Sequence, residues 1–233
     1  MKRNSFILAI PAFAMLTLSN AMAQDKVEAS VGADLVSGYI WRGQDLGDVS
    51  IQPTVSIGYK GFSLTAWGSV GFTQEYTKEV DLTLGYATKG FSASITDYWF
   101  NGGAGYFHYK SGNTTHVFEA QVGYDFQFIA INWYTNFAGN DGTTQDGKRA
   151  YSSYLKLAAP FRLGSLEWVA EIGATPWATS FYNNGADGFE FTDISIRASK
   201  EIGITEKYAL PLFAQITWNP GTEGAYFVFG LSL

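Results

Sequence analysis

The chain contains no cysteine. Disulfides, thiolate metal sites and thiol nucleophiles are therefore excluded. Histidine is almost as scarce, with only His108 and His116. Charged residues make up 15% of the chain, where soluble domains carry about 25%. The net charge of −6 argues against a nucleic-acid partner, which calls for a basic surface. Long apolar runs are missing as well. Beyond residue 23 no stretch approaches the roughly 18 apolar residues of a spanning helix, and mean hydropathy is near neutral.

Aromatic residues are abundant, at 17%. An apolar surface without long apolar runs requires alternation, with each strand showing lipid on one side and polar groups on the other. The N-terminus reads as a secretory signal peptide. Lys2 and Arg3 form its basic start, residues 6–18 its apolar centre, and Ala21-Met22-Ala23 its cleavage site. The mature chain, residues 24–233, is then expected to begin at Gln24 and to form one barrel.

Alternation is sustained along almost the whole mature chain. Val27, Ala29, Val31, Ala33 and Leu35 fall on one face, and the same count carries Tyr39 and Trp41 onto it. Asp34 and Arg42 fall on the other. A helical stripe would break this period of two. Further strands follow at 51–59, 62–72, 80–86 and from 91 onward. Others lie near 115–124, 128–137, 150–159, 166–175, 189–200, 208–219 and 224–233. Lys60-Gly61 and Lys89-Gly90 are two-residue turns whose glycine accepts positive φ. Short connections alternate with longer loops at 101–114, 138–149 and 176–188. About twelve strands with that asymmetry predict an all-β fold, a transmembrane up-and-down antiparallel β-barrel.

The aromatics on the apolar face gather near strand ends. Tyr59 and Tyr86 lie by short turns, and Tyr39, Trp41, Trp99, Trp133 and Trp218 lie by the other loops. They are expected to form two belts at the membrane interfaces. An exported β-sandwich also alternates, but buries its aromatics mid-strand. The last strand is apolar at Ala225, Phe227, Phe229, Leu231 and Leu233, and residues 222–229 resemble a signal read by the barrel-assembly machinery.

The opening strands carry a family resemblance. The first ends in aromatic-x-aromatic-Arg-Gly at Tyr39, Trp41, Arg42 and Gly43. Gln52-Pro53, Trp67-Gly68-Ser69 and the acidic segment Glu79, Asp81, Leu82 follow, closing on Gly85-Tyr86. This pattern resembles TorF-like porins and outer-membrane β-barrel proteins of Bacteroides-type bacteria. The likeness covers roughly the first third of the mature chain. Trp stands where many relatives carry Phe. The resemblance implies the cell outer membrane and a channel role, and brings neither a defined substrate nor catalytic residues.

Inward positions hold most of the strand charge. Asp34, Arg42, Asp81, Glu119, Lys156, Glu171, Asp193 and Arg197 are the candidate pore-lining residues. Lys156, Glu171 and Arg197 sit on neighbouring strands at similar depth, as a structural ion-pair network or as a constriction that selects solutes. Arg42 has Asp45, Asp48 and Asp81 within expected reach, as a loop anchor or as a guide for anionic groups. Trp67, Tyr98, Tyr134 and Tyr154 either fill space inside or form a stacking surface. Tyr106, Phe107, His108 and Tyr109 form a patch in the longest loop, suited to plugging the barrel, to the lipopolysaccharide interface or to a partner.

Barrel lipases and deacylases place His-x-Ser on one strand. Here Val117-Phe118 follows His116 and Tyr109-Lys110 follows His108, so no catalytic residue is assigned and no enzyme activity is expected. No zinc motif or phosphate-binding glycine loop is present, and Asp141 and Asp146 make only a sparse carboxylate pair for calcium. No metal and no cofactor are expected. The expected partners are outer-membrane lipid, lipopolysaccharide, the assembly machinery and a small polar solute, with no nucleic acid. The reading is a porin or narrow channel for small polar solutes. The alternatives are a closed structural or adhesion barrel and, behind it, a lipid-modifying barrel enzyme.

Overall fold

The computed structural model describes residues 26–73, 78–110, 112–183, 185–205 and 208–233. The expected leader and Gln24 lie outside these residues. Twelve antiparallel strands close into a barrel. In chain order they are β1 (Glu28–Val36), β4 (Ser50–Tyr59), β5 (Phe62–Gly71), β6 (Glu79–Thr88), β7 (Phe91–Phe100) and β8 (His116–Asp125). The others are β9 (Ala130–Gly139), β10 (Ser153–Leu163), β11 (Leu166–Thr175), β12 (Glu190–Gly203), β13 (Ala209–Asn219) and β14 (Gly224–Ser232). Two short strands, β2 (Tyr39–Trp41) and β3 (Gln44–Gly47), pair only with each other.

Most wall strands are nine to eleven residues long, about the length that crosses a bilayer when tilted. Lys60-Gly61 and Lys89-Gly90 both adopt the paired positive φ of a tight hairpin, 49° and 84° in the first and 47° and 88° in the second. Alternation sorts the faces as expected. Leu64, Leu84 and Ile95 stand side by side, exposed on the outside. Thr65, Thr83 and Thr96 form the adjacent row and face inward.

The barrel closes with a large stagger. Asp34, Leu35 and Val36 at the end of β1 pair with Ser232, Leu231 and Gly230 at the end of β14. The upper half of β14 therefore has no β1 beside it. Ser37 makes the last wall contacts, donating its N–H to Phe229 O at 2.9 Å and accepting from Phe229 N at 3.0 Å. From Gly38 the chain leaves the wall, and the β2–β3 hairpin enters the lumen at the long-loop end.

This departure corrects the expectation that one alternating strand runs from Val27 through Trp41. Once the strand stops, its parity no longer applies. Tyr39 and Trp41 are buried in the interior aromatic cluster and do not belong to a membrane-interface belt. Tyr59 and Trp218 are exposed outside, and Tyr86, Trp99 and Trp133 are half-buried on outward positions.

Candidate functional site

The interior holds two layers. The layer at the long-loop end is aromatic. Tyr39 and Trp41 from the hairpin pack with Trp67, Tyr98, Tyr134 and Tyr154 from the wall and with Tyr182 from the β11–β12 loop. Tyr154 is 0% exposed. The interior aromatics pack mainly against one another, and Tyr98, Tyr134 and Tyr154 also border the cavity below.

Arg42 locks this layer. Its guanidinium grips Glu119 two-pronged, at 2.5 and 2.9 Å. It also donates to the Tyr182 hydroxyl. Tyr98 and Tyr182 donate to Glu119 at 2.9 and 3.2 Å. The charge lies 4.1 Å from the Tyr134 ring centre, 4.5 Å from Trp41 and 4.8 Å from Tyr154. Burial by itself would disfavour the cation. The Glu119 carboxylate outweighs that and holds the Arg42 pKa well above its ordinary value. Burial likewise lifts the Tyr182 phenol well above its usual range, so the hydroxyl stays a donor.

The sequence pointed Arg42 toward Asp45, Asp48 and Asp81. Asp45 instead accepts the Gly47 N–H in its own turn at 3.2 Å. Asp81 is buried on β6 beside Glu79, to which it hydrogen-bonds. The true partner, Glu119, is 77 residues away. The loop anchor exists, but it ties the hairpin to the far wall.

Beneath the aromatic layer lies a cavity of about 120 Å³. The hairpin roofs it with Tyr39, Ile40, Trp41 and Arg42. Three neighbouring strands set the charges on one wall in rows. Lys156, Gly173 and Asp193 share a row, and Ala158, Glu171 and Ser195 form the next. Val169, Arg197 and Gln215 form the third. Lys156 reaches across one row to Glu171 at 2.7 Å. Arg197 does not join that pair. Its guanidinium lies 3.4 Å from the Phe213 ring centre. The trio expected at one depth is therefore one pair and one separate cation. Asp34, at the seam, is buried and acts on Arg197 electrostatically. All eight charged candidates thus belong to the interior, Arg42 and Glu119 in the plug layer and Lys156, Glu171, Asp193 and Arg197 around the cavity.

The patch in the longest loop is not the plug. His116, Asp97 and Phe118 face outward, and Tyr106 and Tyr109 of the longest loop fold over that outer wall. Tyr109 stacks on His116 at 4.0 Å between ring centres. His116 Nδ1 pairs with Asp97 at 2.7 Å, and Nε2 meets the Tyr106 carbonyl oxygen at 2.5 Å. Both ring nitrogens are engaged, so neither is free to activate a hydroxyl. Asp141 is taken up in a loop clasp, accepting the Tyr151 and Ser152 N–H groups at 2.8 and 2.9 Å. Among the described residues no group of three His, Asp or Glu side chains converges on a metal position.

Sequence reasoning missed the hairpin and Tyr182. A signal for the hairpin was present. Arg42-Gly43 is the same basic-glycine pair as Lys60-Gly61 and Lys89-Gly90, and it adopts the same turn, with φ of 51° and 80°. Tyr182 sits in a loop with no periodicity to mark it. No family model and no curated protein matches the chain. Among solved structures, the chain is similar to the NanC porin in its rhombohedral crystal form, over 87% of this chain and 96% of that one, with 8% sequence identity and a TM-score of 0.43.

Proposed function

We infer that the protein is an outer-membrane barrel forming a narrow, gated channel for small polar solutes, with the β2–β3 hairpin as its gate. The observation that carries this reading is a charged cavity inside a closed wall, roofed by a hairpin that is not part of the wall. A two-stranded hairpin is at best marginally stable alone. Its contacts include Arg42, the packed rings of Tyr39 and Trp41, a side-chain hydrogen bond between Tyr39 and Glu79, and at the tip a hydrogen bond from Asn219 Nδ2 to Gly43 O at 3.0 Å. All of these are side-chain or loop contacts outside the wall ladder. Planar-bilayer recording with a liposome-swelling panel of small solutes tests the reading. Discrete openings and size-limited swelling are expected; folded protein that never passes current belongs to the second reading, a closed barrel. That reading is favoured by the burial of the aromatic layer.

Two further results follow. The outward apolar face supports insertion into the outer membrane, in line with the leader expected from the sequence. Leu84 lies mid-strand and is exposed outside, so Leu84→Arg should lower stability in a bilayer by about 2–4 kcal/mol. Reversible urea unfolding in vesicles measures it, and a change within error would remove the lipid-facing assignment. Glu171→Gln leaves Lys156 without its counter-charge. The open channel should then favour anions several-fold more than the parent, read as the reversal potential in a salt gradient. An unmoved reversal potential would place the pair away from the conduction path.

A further inference from the structure

The cavity beneath the hairpin has two poles. On β12, Asp193 and Arg197 face the same side, four residues apart, and both line the cavity. Each is 7% exposed. Asp193 Oδ2 accepts from the Tyr154 hydroxyl at 3.3 Å, while Oδ1 has no hydrogen-bond partner among the described residues. Arg197 lays its guanidinium face on Phe213, and its Nε has no partner among the described residues. Nε with its neighbouring Nη is an edge of the guanidinium that grips carboxylates two-pronged. Buried polar atoms in native proteins are almost always hydrogen-bonded. Here a buried acceptor atom and a buried donor atom line one cavity, and neither has a hydrogen-bond partner among the described residues.

The charges between the poles cancel. Lys156 and Glu171 neutralise each other at 2.7 Å. What remains on this wall is a negative end at Asp193, toward the hairpin, moderated by Lys156 and by a hydrogen bond with Ser195, and a positive end at Arg197, further down. Asp34, from β1, also acts on Arg197, and it moderates the positive end without occupying the Nε edge. Four residues of strand separate the two Cα atoms by about 13 Å. The Asp and Arg side chains take up most of that span, and the gap left suits a ligand of amino-acid size.

We propose that this cavity binds a small zwitterion, with its ammonium group on Asp193 and the Tyr154 hydroxyl and its carboxylate on the Nε edge of Arg197. The inference rests on the channel reading for how the ligand arrives, but binding itself needs no transport. A simple anion leaves Asp193 unmatched, and a simple cation leaves Arg197 unmatched. Only a ligand carrying both charges satisfies both ends.

Saturation-transfer NMR on the full mature protein, folded in detergent micelles, tests this with three probes of similar size: alanine, propionate and ethylamine. Alanine is expected to bind and the other two to bind at least about tenfold more weakly, since each leaves one buried charge unmatched. Arg197→Lys keeps the charge and loses the two-pronged edge. Asp193→Asn keeps the shape and loses the charge. Both should weaken alanine about ten- to hundredfold. Heat-modifiable gel migration identifies correctly folded variants. No alanine binding to folded parent protein, or equal binding of propionate, overturns the proposal. Alanine binding to a protein that never conducts would overturn the channel reading and leave this site standing, while conduction without binding does the reverse.

Discussion

Arg42→Ala should open the barrel. In planar bilayers the variant is expected to conduct steadily where the parent is mostly closed. The reason is the burial of the pair. Arg42 and Glu119 meet at 2.5 and 2.9 Å with almost no solvent contact. Removing one member of such a pair leaves the other charge buried and uncompensated, which costs about 3–5 kcal/mol. The variant also loses the stacking of the guanidinium against Tyr134, Trp41 and Tyr154. The penalty falls on the seated hairpin and not on the wall, whose ladder does not include β2 or β3. A shift of that size moves the open-to-closed ratio by roughly two to four orders of magnitude. Glu119→Gln should act in the same direction. The double variant Arg42→Met with Glu119→Leu should regain part of the closure, since neither charge is then stranded. Conductance of Arg42→Ala indistinguishable from the parent would show that the pair does not hold a gate.

The second large effect needs no change of charge. Gly43 sits at the hairpin tip against the opposite wall. A Cβ there would lie 1.6 Å from the Thr192 carbonyl oxygen and 2.7 Å from its carbon. Both are backbone atoms of β12 and cannot swing aside. The φ of 80° adds its own penalty for any side chain. Gly43→Ala should therefore unseat the hairpin as fully as Arg42→Ala does. Two readouts follow. Conductance rises while ion selectivity stays that of the parent, because every charge remains. Trypsin then gains access to the Arg42-Gly43 region, protected in the parent by burial, so cleavage after Arg42 in proteoliposomes becomes rapid. A Gly43→Ala protein that stays closed and protease-resistant would mean the tip does not need its fit against Thr192.

The wall was legible in the sequence because its rule is local. Each residue need only know which side of the strand it is on, and alternation at Leu64, Leu84 and Ile95 against Thr65, Thr83 and Thr96 states that directly. The same rule failed at Tyr39 and Trp41. Parity carries forward only while the strand continues, and the chain leaves the wall at Gly38. Large aromatics suit a lipid interface and a packed interior equally well, so residue type did not flag the change. The strand charges lie inside as parity implies, Arg42 apart, since parity ends before it; the Lys156–Glu171 pair was anticipated, but the partners of Arg42 and Arg197 were not. Arg42 finds Glu119 and Tyr182 across the lumen, and Lys156 takes Glu171 while Arg197 takes the Phe213 ring. Those choices depend on barrel diameter and stagger, which no single segment encodes.

The β2–β3 hairpin is encoded near the start of the chain yet leans on what comes last. From Arg42 to Tyr182 is 140 residues, and from Gly43 to Asn219 is 176. The hairpin has no seat until β12 and β13 are in place and the β1–β14 seam has joined. Occupation of that seat is therefore a late event in biogenesis, following closure of the cylinder and reporting on it. An incompletely assembled intermediate would leave Trp41 in a wet environment, and the change in its fluorescence would mark the final step of maturation.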